Sequence, residues 1–280
     1  MEQFNILVVR PPDGTSFYHA YTGMAALLAA ALRRLGLPTR FGENELIHDA
    51  TNVVMGAHCL EPQLADSLPA NTIIYNSEMV LRSSPFLPAL EPFVRRFETW
   101  DYSERNVRAW RELGISERVR WLRPGYIPEA TTIDPATQTD IDALFYGLVN
   151  ARRRAILDAL ARSKVRTYVL HDSYGAERDA YIARARIVLN IHAAPEAPFE
   201  MPRAIHALAN RRLLVSESTD DNSIADLVDG MAMGDASELP ELCRALLDDD
   251  ARRSQLADRG FELFSRRDFT RTVREALDER

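Results

Sequence analysis

The sequence predicts an α/β protein built from two doubly wound parallel sheets, and three observations support this prediction. The chain has 280 residues, enough for two domains of about 100–200 residues each. Short apolar runs, such as 5–9 and 187–191, are typical of strands buried on both faces of a parallel sheet. Such runs alternate with helical segments on both sides of a Thr-, Pro- and Asp-rich stretch, 128–140, that has no periodicity.

The first half opens with the strand 5–9, followed by a helix at 22–35. Gly36 is expected to end this helix, because glycine readily takes the left-handed conformation found there. Ser103 and Glu104 predict the start of a later helix that ends at Gly114. The other predicted elements are strands at 38–41, 52–55, 72–75, 97–100 and 118–122, and helices at 61–66 and 85–95.

The second half repeats the alternation of strands and helices. Its predicted strands are 141–146, 165–170, 187–191, 213–215 and 231–233, and its predicted helices are 151–163, 177–185, 203–210, 238–247, 251–264 and 268–277. We therefore expect an N-terminal domain at 1–128, a linker at 129–140, a C-terminal domain at 141–264 and a C-terminal helix within 265–280.

Composition narrows the function classes. The 34 Lys and Arg residues stand against 41 Asp and Glu residues, a net charge of -7, which argues against an extended nucleic-acid-binding surface. Cys59 and Cys243 match neither a disulfide framework nor a metal-binding spacing. The N-terminus does not read as a signal peptide, and no stretch approaches the roughly 20 apolar residues of a membrane span. We expect a cytoplasmic protein; its oligomeric state stays open.

Charged residues cluster in the stretch 186–217. They lie between a predicted strand and the helix that follows it, and at the end of the next predicted strand. In open α/β sheets, ligands bind outside the carboxyl ends of the strands. Glu200 could accept hydrogen bonds from sugar hydroxyls while Arg203 faces a phosphate, or the two could form a surface ion pair one turn apart. Glu217 is a second candidate for hydroxyl binding, with a helix N-cap as the alternative.

A second cluster follows the strand 141–146. Gly147 allows a close approach of the backbone to a ligand. Arg152, Arg153 and Arg154 then fall in the first turn of a helix, where they oppose the helix dipole. A bound phosphate would resolve that conflict; the alternative is that the three side chains are simply solvated.

Taken in order, these motifs resemble a known family. They are Asp142-x-x-Phe145-Tyr146-Gly147, the Arg-rich helix, Ala185-x-Ile-Val-Leu-Asn190-Ile-His192, Glu200-x-x-Arg203 and Val215-Ser-Glu217. The set is similar to the donor half of glycosyltransferases of the GT-B fold, in particular the group-1-like and CgeB-like transferases. The first half is similar in its βα rhythm, in Tyr75-Asn76-x-Glu78 and in Trp100-Asp101-Tyr102-Ser103-x-x-Asn106.

The resemblance implies two Rossmann-like domains with a cleft between them, and a last helix that packs back on the N-terminal domain. It implies transfer of a sugar from a nucleotide-diphosphate sugar, bound by the second domain, to an unidentified acceptor hydroxyl at the first. The resemblance implies no bound metal, because helix dipoles and basic side chains hold the leaving diphosphate, and no cofactor, because the nucleotide sugar is a substrate. The implied donor-binding residues are Gly147, Asn150, Arg152, Arg153, His192, Glu200, Arg203 and Glu217.

The sequence departs from the family pattern at two points. Asn210 stands where a glycine is usual, and because asparagine tolerates the left-handed conformation we expect the same turn. The usual Glu-x7-Glu pair, associated with a retaining donor geometry, is not cleanly present. A catalytically inactive protein of the same fold that binds a nucleotide, a sugar or a partner therefore remains the alternative. A dinucleotide oxidoreductase is disfavoured, because no Gly-x-Gly-x-x-Gly follows any strand.

An inverting transferase needs a base near the acceptor hydroxyl. Asp13 and His19, in the long loop after the first strand, are candidates, and Glu78 is a third. Each has a structural alternative: Asp13-Gly14 forms a good turn by itself, and His19 lies among aromatic residues against which it could pack.

Overall fold

The computed structural model describes residues 2–134 and 138–280, so residues 135–137 of the predicted linker lie outside the described residues. The chain divides into two compact units. Unit 1 comprises Met1–Ile127 and Asp268–Arg280, and unit 2 comprises Pro128–Arg267. The chain therefore returns to unit 1 for its last segment.

The described residues of each unit form one parallel sheet. The sheet of unit 1 has the strand order β2-β1-β3-β4-β5-β6, and that of unit 2 has the order β11-β10-β9-β7-β8. The strands of unit 1 are β1 Phe4–Val8, β2 Thr39–Glu43, β3 Thr51–Met55, β4 Ile73–Asn76, β5 Glu98–Asp101 and β6 Val119–Trp121. Those of unit 2 are β7 Ile141–Tyr146, β8 Thr167–Leu170, β9 Ala185–Asn190, β10 Leu213–Glu217 and β11 Ala232–Gly234.

Helices connect the strands and cover the sheets. In chain order they are α1 His19–Arg34, α2 Leu87–Arg96, α3 Glu104–Glu112, α4 Ala151–Arg162, α5 Gly175–Arg184, α6 Met201–Leu208, α7 Leu239–Leu247, α8 Asp250–Ser265 and α9 Phe269–Asp278. Helices α1 and α9 pack against each other in unit 1. The predicted pair of parallel-sheet α/β domains is confirmed.

Apolar strands buried on both faces explain why these sheets form. Every residue of β1 and β3 is buried, as the continuous apolar runs predict. In unit 1, Leu7, Val54 and Ile74 pack with α2 and α3. In unit 2, alternate residues of β7, β9 and β10 pack with α4 and α7.

Local signals fix several helix ends as predicted. Gly36 has φ +77° directly after α1, and the Leu37 amide donates back to the Leu32 carbonyl at 3.1 Å. The Ser103 side chain accepts from the Asn106 amide at the start of α3. The predicted helix at 61–66 is instead a 3-10 turn over Pro62–Asp66, because a segment this short cannot offset the cost of starting an α-helix.

The turn after α6 differs from the prediction. Arg211, with φ +51°, takes the left-handed conformation that the sequence assigns to Asn210. Asn210 is buried and uses its side chain instead: its oxygen accepts from the amides of Thr132 and Ile133 at 2.8 and 2.9 Å, and its nitrogen donates to the Ala130 carbonyl at 3.0 Å. The amide side chain, rather than a left-handed backbone, is what this position requires.

Candidate functional site

Most of the predicted donor-binding residues meet at one edge of the unit 2 sheet. Strands β7, β9 and β10 run parallel and in register, with Leu144 opposite Val188 and Val188 opposite Leu214. Their carboxyl ends therefore meet at one edge, and Gly147 and His192 follow two of them there. Helices α4 and α6 begin beside these strand ends and supply three arginines to the same place.

Arg153 is the most deeply held of these arginines. Its side chain is only 6% exposed, and it donates from Nε to the Ile191 carbonyl at 2.9 Å and from Nη1 to the Leu148 carbonyl at 2.7 Å. Its Nη2 donates to the Glu200 carboxylate. Burial lowers the pKa of Arg153, and the charge of Glu200 offsets part of that shift.

Arg203 shares that carboxylate from the other side. It donates from Nε to the Tyr146 carbonyl at 3.1 Å, and from Nη1 both to Asn190 Oδ1 at 2.9 Å and to Glu200. A Cβ atom on Gly147, whose φ is +118°, would lie 3.1 Å from Arg203 Nη2. The glycine therefore serves two purposes, an unusual backbone angle and room for the guanidinium group.

Glu200 is consequently clamped between two guanidinium groups. Burial by itself would raise the pKa of its carboxyl, but the charges of Arg203 and Arg153 outweigh burial and hold that pKa below its usual value. Its Oε1 also accepts from the Ala193 amide at 3.2 Å. The Glu200–Arg203 contact is thus an ion pair, as one of the two sequence interpretations allows, but it belongs to a largely buried network rather than to a solvated helix surface.

A second ion pair, between Arg152 and Glu217, lies at the end of β10. Arg152 donates from Nη1 and Nη2 to the two oxygens of Glu217 at 2.8 and 2.5 Å, a bidentate geometry. The Glu217 carboxylate also accepts from the His192 amide at 2.7 Å. Glu217 therefore holds the turn after β9 and does not cap a helix. The cap in the following segment is Asp221, which accepts from the Ser223 amide.

Carboxylates of the same chain compensate the positive charges in the first turn of α4. Arg152 and Arg153 each meet a carboxylate, whereas Arg154 is exposed. The predicted donor residue Asn150 is the N-cap of α4: it accepts from the Arg153 amide at 2.9 Å and donates to the Ala193 carbonyl at 2.7 Å. No ligand is needed to hold these arginines in place.

His192 is the unsatisfied member of the group. It is 2% exposed, and its Nε2 has no hydrogen-bond partner among the described residues. Burial lowers the pKa of its imidazole, although Glu200 and Glu217 act in the opposite direction. Together with three arginines and two glutamates, the cluster carries one excess positive charge and one orphaned ring nitrogen. Such a cluster is suited to an anionic ligand that can also hydrogen-bond.

In unit 1, one of the three candidate bases lies in an ordered cluster. Glu78 follows β4, and its side chain, 19% exposed, accepts from the Tyr21 hydroxyl. His58 Nε2 lies 3.3 Å from that hydroxyl and 3.9 Å from Glu78. Burial raises the pKa of Glu78, with the Tyr21 hydrogen bond opposing it, and burial lowers the pKa of His58 to about 4. The half-exposed rings of Phe17 and Phe86 lie against His58.

The other two candidates have different surroundings. Asp13 accepts from the Thr15 amide at 3.0 Å and from the Thr15 hydroxyl at 2.8 Å, bonds that lower the pKa of this exposed carboxyl. It therefore forms the turn that is its structural alternative. His19 is the first residue of α1, and its ring lies 4.0 Å from the ring of Tyr18.

The sequence did not single out Tyr21, His58 or Asp101 as parts of a site. Tyr21 and His58 lie 37 residues apart, and only the fold brings them together. The one available signal was the pair of motifs at Tyr75-Asn76-x-Glu78 and Trp100-Asp101-Tyr102-Ser103, whose polar residues follow neighbouring strands.

The described residues contain no group of three or more His, Cys, Asp or Glu side chains arranged to hold a metal ion. Within the same part of the chain, no helix combines the length and apolar character that crossing a membrane requires.

The two parallel-sheet α/β units match solved glycosyltransferase structures of the GT-B fold over the whole chain. HepE of Anabaena, in complex with UDP-glucose, matches with a TM-score of 0.65 and 13% identity, covering 100% of both chains. AviGT4, a glycosyltransferase involved in avilamycin A biosynthesis, matches with 0.62 and 11%, covering 100% of this chain and 97% of that chain. The T4 phage β-glucosyltransferase matches with 0.62 and 10%, covering 99% of each.

Two of these neighbours are named as glycosyltransferases, and the third was solved in complex with UDP-glucose. At this level of identity the likeness establishes the fold. No family model matches the sequence, and no curated protein matches it either.

Proposed function

We propose that the protein is a glycosyltransferase that transfers a sugar from a nucleotide-diphosphate sugar to an acceptor hydroxyl. The observation that carries this proposal is the meeting of Arg152, Arg153 and Arg203 at the carboxyl edge of the unit 2 sheet, beside the N-terminus of α4. Guanidinium groups and a helix N-terminus stabilise the negative charge that develops on a leaving diphosphate. The fold adds support, because its neighbours include an enzyme in complex with UDP-glucose.

The cluster is suited to a diphosphate for a physical reason. Its carboxylates keep the arginines in fixed orientations before the ligand arrives, so little side-chain entropy is lost on binding. The excess positive charge attracts the diphosphate, and the buried Nε2 of His192 still lacks a hydrogen-bond partner among the described residues. We infer that no metal and no cofactor take part. EDTA should therefore leave the activity unchanged. We also propose that the protein belongs to the CgeB-like glycosyltransferases.

We assign the base to Glu78. Burial raises the pKa of Glu78, and its carboxylate is held by the Tyr21 hydroxyl, whereas the hydrogen bonds from Thr15 lower the pKa of Asp13. A base with a raised pKa is better matched to neutral pH than an exposed carboxylate that a turn already occupies. In the transfer, the Glu78 carboxylate takes the proton of the acceptor hydroxyl as that oxygen bonds to the anomeric carbon. The bond from that carbon to the diphosphate oxygen breaks, and its electron pair leaves with the nucleotide.

A thermal-shift experiment with UDP, GDP, TDP and CMP tests donor binding. A ligand at about 100 times its dissociation constant stabilises the fold by about 2.7 kcal/mol. The informative variant is Arg152→Gln combined with Glu217→Gln, which removes a partly buried pair without leaving either charge unpaired. Its matched control is Arg244→Gln with Glu241→Gln, the same exchange at an exposed pair on α7 of the same unit. Loss of the nucleotide response in the first double variant only is expected; equal responses refute the donor site.

Turnover is tested separately from binding. With UDP-glucose as donor and water as acceptor, release of UDP and glucose reports transfer without knowledge of the natural acceptor. Glu78→Gln should abolish this release and leave the thermal shift by UDP intact. If the wild type binds UDP but forms no UDP and glucose from UDP-glucose, the catalytically inactive alternative replaces the proposal of an enzyme.

A further inference from the structure

A buried carboxylate is linked to the Glu78 segment through two asparagine side chains, and among the described residues it has no cationic partner. Asp101 ends β5 and is 0% exposed. Its Oδ1 accepts from the Ser103 amide at 2.9 Å and from Asn106 Nδ2 at 3.0 Å. Its Oδ2 accepts from Asn76 Nδ2 at 2.7 Å and from Trp110 Nε1 at 3.1 Å. Four donors converge on one carboxylate, so each of them has a fixed direction.

Two of these four donors also hold the main chain of Glu78. Asn76 Nδ2 and Asn106 Nδ2 each donate to the Glu78 carbonyl at 2.9 Å, and the Glu78 amide donates to Asn76 Oδ1 at 3.1 Å. Asn106 Oδ1 additionally accepts from the Val80 amide at 3.1 Å. The segment that carries Glu78 leaves the end of β4 and is irregular, yet both polar groups of the Glu78 peptide backbone are bound by buried side chains.

We propose that Asp101 is a positioning residue for Glu78. Its buried carboxylate fixes the side chains of Asn76 and Asn106, and these two amides fix the main chain from which the Glu78 side chain extends. The Tyr21 hydroxyl, beside His58, then orients the carboxylate itself. This inference rests on the proposed function, in which Glu78 is the base. A base must lie within hydrogen-bond reach of its proton, and displacement by about 1 Å can cost about a hundredfold in rate.

The groups around Glu78 come from several elements. Tyr21 belongs to α1, and His58 and Cys59 follow β3. The pKa of the Cys59 thiol is raised to about 11 by burial and by the charges of Glu78 and Asp13. Burial also raises the pKa of Asp101 to about 7, against four hydrogen bonds that favour the anion. A titration therefore has to distinguish the carboxyl of Glu78 from that of Asp101. The resonance of Glu78 is identified as the one that is missing in Glu78→Gln.

The test compares two variants that each remove one donor from Asp101. Asn106→Ala also removes a donor from the Glu78 carbonyl, whereas Trp110→Phe leaves the Glu78 segment untouched. Both are measured with UDP-glucose and water at a temperature where both are folded. We expect Asn106→Ala to lower kcat about tenfold to hundredfold with KM for UDP-glucose unchanged, and Trp110→Phe to change kcat by less than about threefold.

A carbon-13 NMR titration of the glutamate side chains gives a readout independent of turnover. Tyr21→Phe removes the hydroxyl that lowers the pKa of Glu78, so that pKa rises, and Asn106→Ala, by loosening the same carboxylate, raises it in the same direction. Trp110→Phe leaves it unchanged. If Asn106→Ala does not fold, Asp101→Asn, which keeps the side-chain volume, takes its place.

The positioning role of Asp101 is overturned if Asn106→Ala and Trp110→Phe change kcat by the same factor and Asn106→Ala leaves the pKa of Glu78 unshifted. A wild-type protein that releases no UDP overturns the proposed function instead. The NMR comparison decides the positioning of Glu78 in that case as well, because it needs no substrate.

Discussion

Replacing Gly147 by alanine separates backbone strain from the arrangement of the arginine cluster. Gly147 has φ +118°, which L residues rarely adopt, and the added Cβ would lie 3.1 Å from Arg203 Nη2. The matched control is Gly175→Ala in the same unit, at φ +56°, where a Cβ meets no atom within 4 Å. Both variants strain the backbone, but only the first presses on a guanidinium group.

The magnitudes follow from the two environments. We expect Gly175→Ala to lower the free energy of unfolding by about 1–2 kcal/mol and Gly147→Ala by about 1–3 kcal/mol, because each forces a non-glycine residue to positive φ. Arg203 cannot give way freely, since Nε and Nη1 are bound to the Tyr146 carbonyl and Asn190. Loss of one charge-assisted hydrogen bond to a diphosphate would cost about 1.5–3 kcal/mol, or roughly 10- to 150-fold in affinity.

The assays are urea denaturation for stability and calorimetric titration with UDP for affinity, both at pH 7. Gly147→Ala should weaken UDP binding by that factor, and Gly175→Ala should leave it unchanged. Equal affinities in the two variants would mean that Arg203 does not touch the nucleotide, and the reasoning about this cluster would be wrong.

Two further predictions concern stability. His58 has its pKa lowered to about 4 by burial, so between pH 6.5 and 4 the unfolded chain takes up a proton that the fold excludes, and stability falls as pH falls. Between pH 7 and 4.5 the wild type should therefore lose about 2–3 kcal/mol more unfolding free energy than His58→Gln in urea denaturation; parallel pH curves would contradict this. Asn210→Gly should destabilise as much as Asn210→Ala, by about 3 kcal/mol in the same assay, because both orphan the Ile133 amide. A tolerated glycine would restore the left-handed interpretation.

Sequence patterns carried the fold nearly completely, because the strands here are short apolar runs that parallel sheets bury on both faces. The run 141–146 is the strand β7 to the residue. The prediction was wrong where a side chain makes long-range hydrogen bonds that composition does not indicate. Asn210 was assigned by its backbone tolerance, yet its amide group ties 130–133 to the end of α6, a contact across about 80 residues of sequence. Long-range polar contacts of this kind have no periodic signature.

The candidate donor site was predicted as a set of residues but not as a network. Strand ends and helix starts were enough to place Arg152, Glu200 and Glu217 at one edge, since parallel strands share their carboxyl ends. The sequence could not show which arginine pairs with which glutamate, because partners such as Arg152 and Glu217 are 65 residues apart. The same limit applies to Glu78, whose partners come from three separate segments.

This network changes what single substitutions at the site can measure. Glu217 is 4% exposed, and removing Arg152 leaves it as a buried charge without its cation, a loss that typically costs about 3–5 kcal/mol. Loss of nucleotide binding in such a variant would not by itself show that the arginine touches the nucleotide, because the unpaired charge also destabilises the site. Exchanging both partners for glutamine removes the charges together and leaves the net charge of the cluster unchanged. Where urea denaturation shows that this double variant keeps its fold, a loss of affinity can be attributed to the ligand contact.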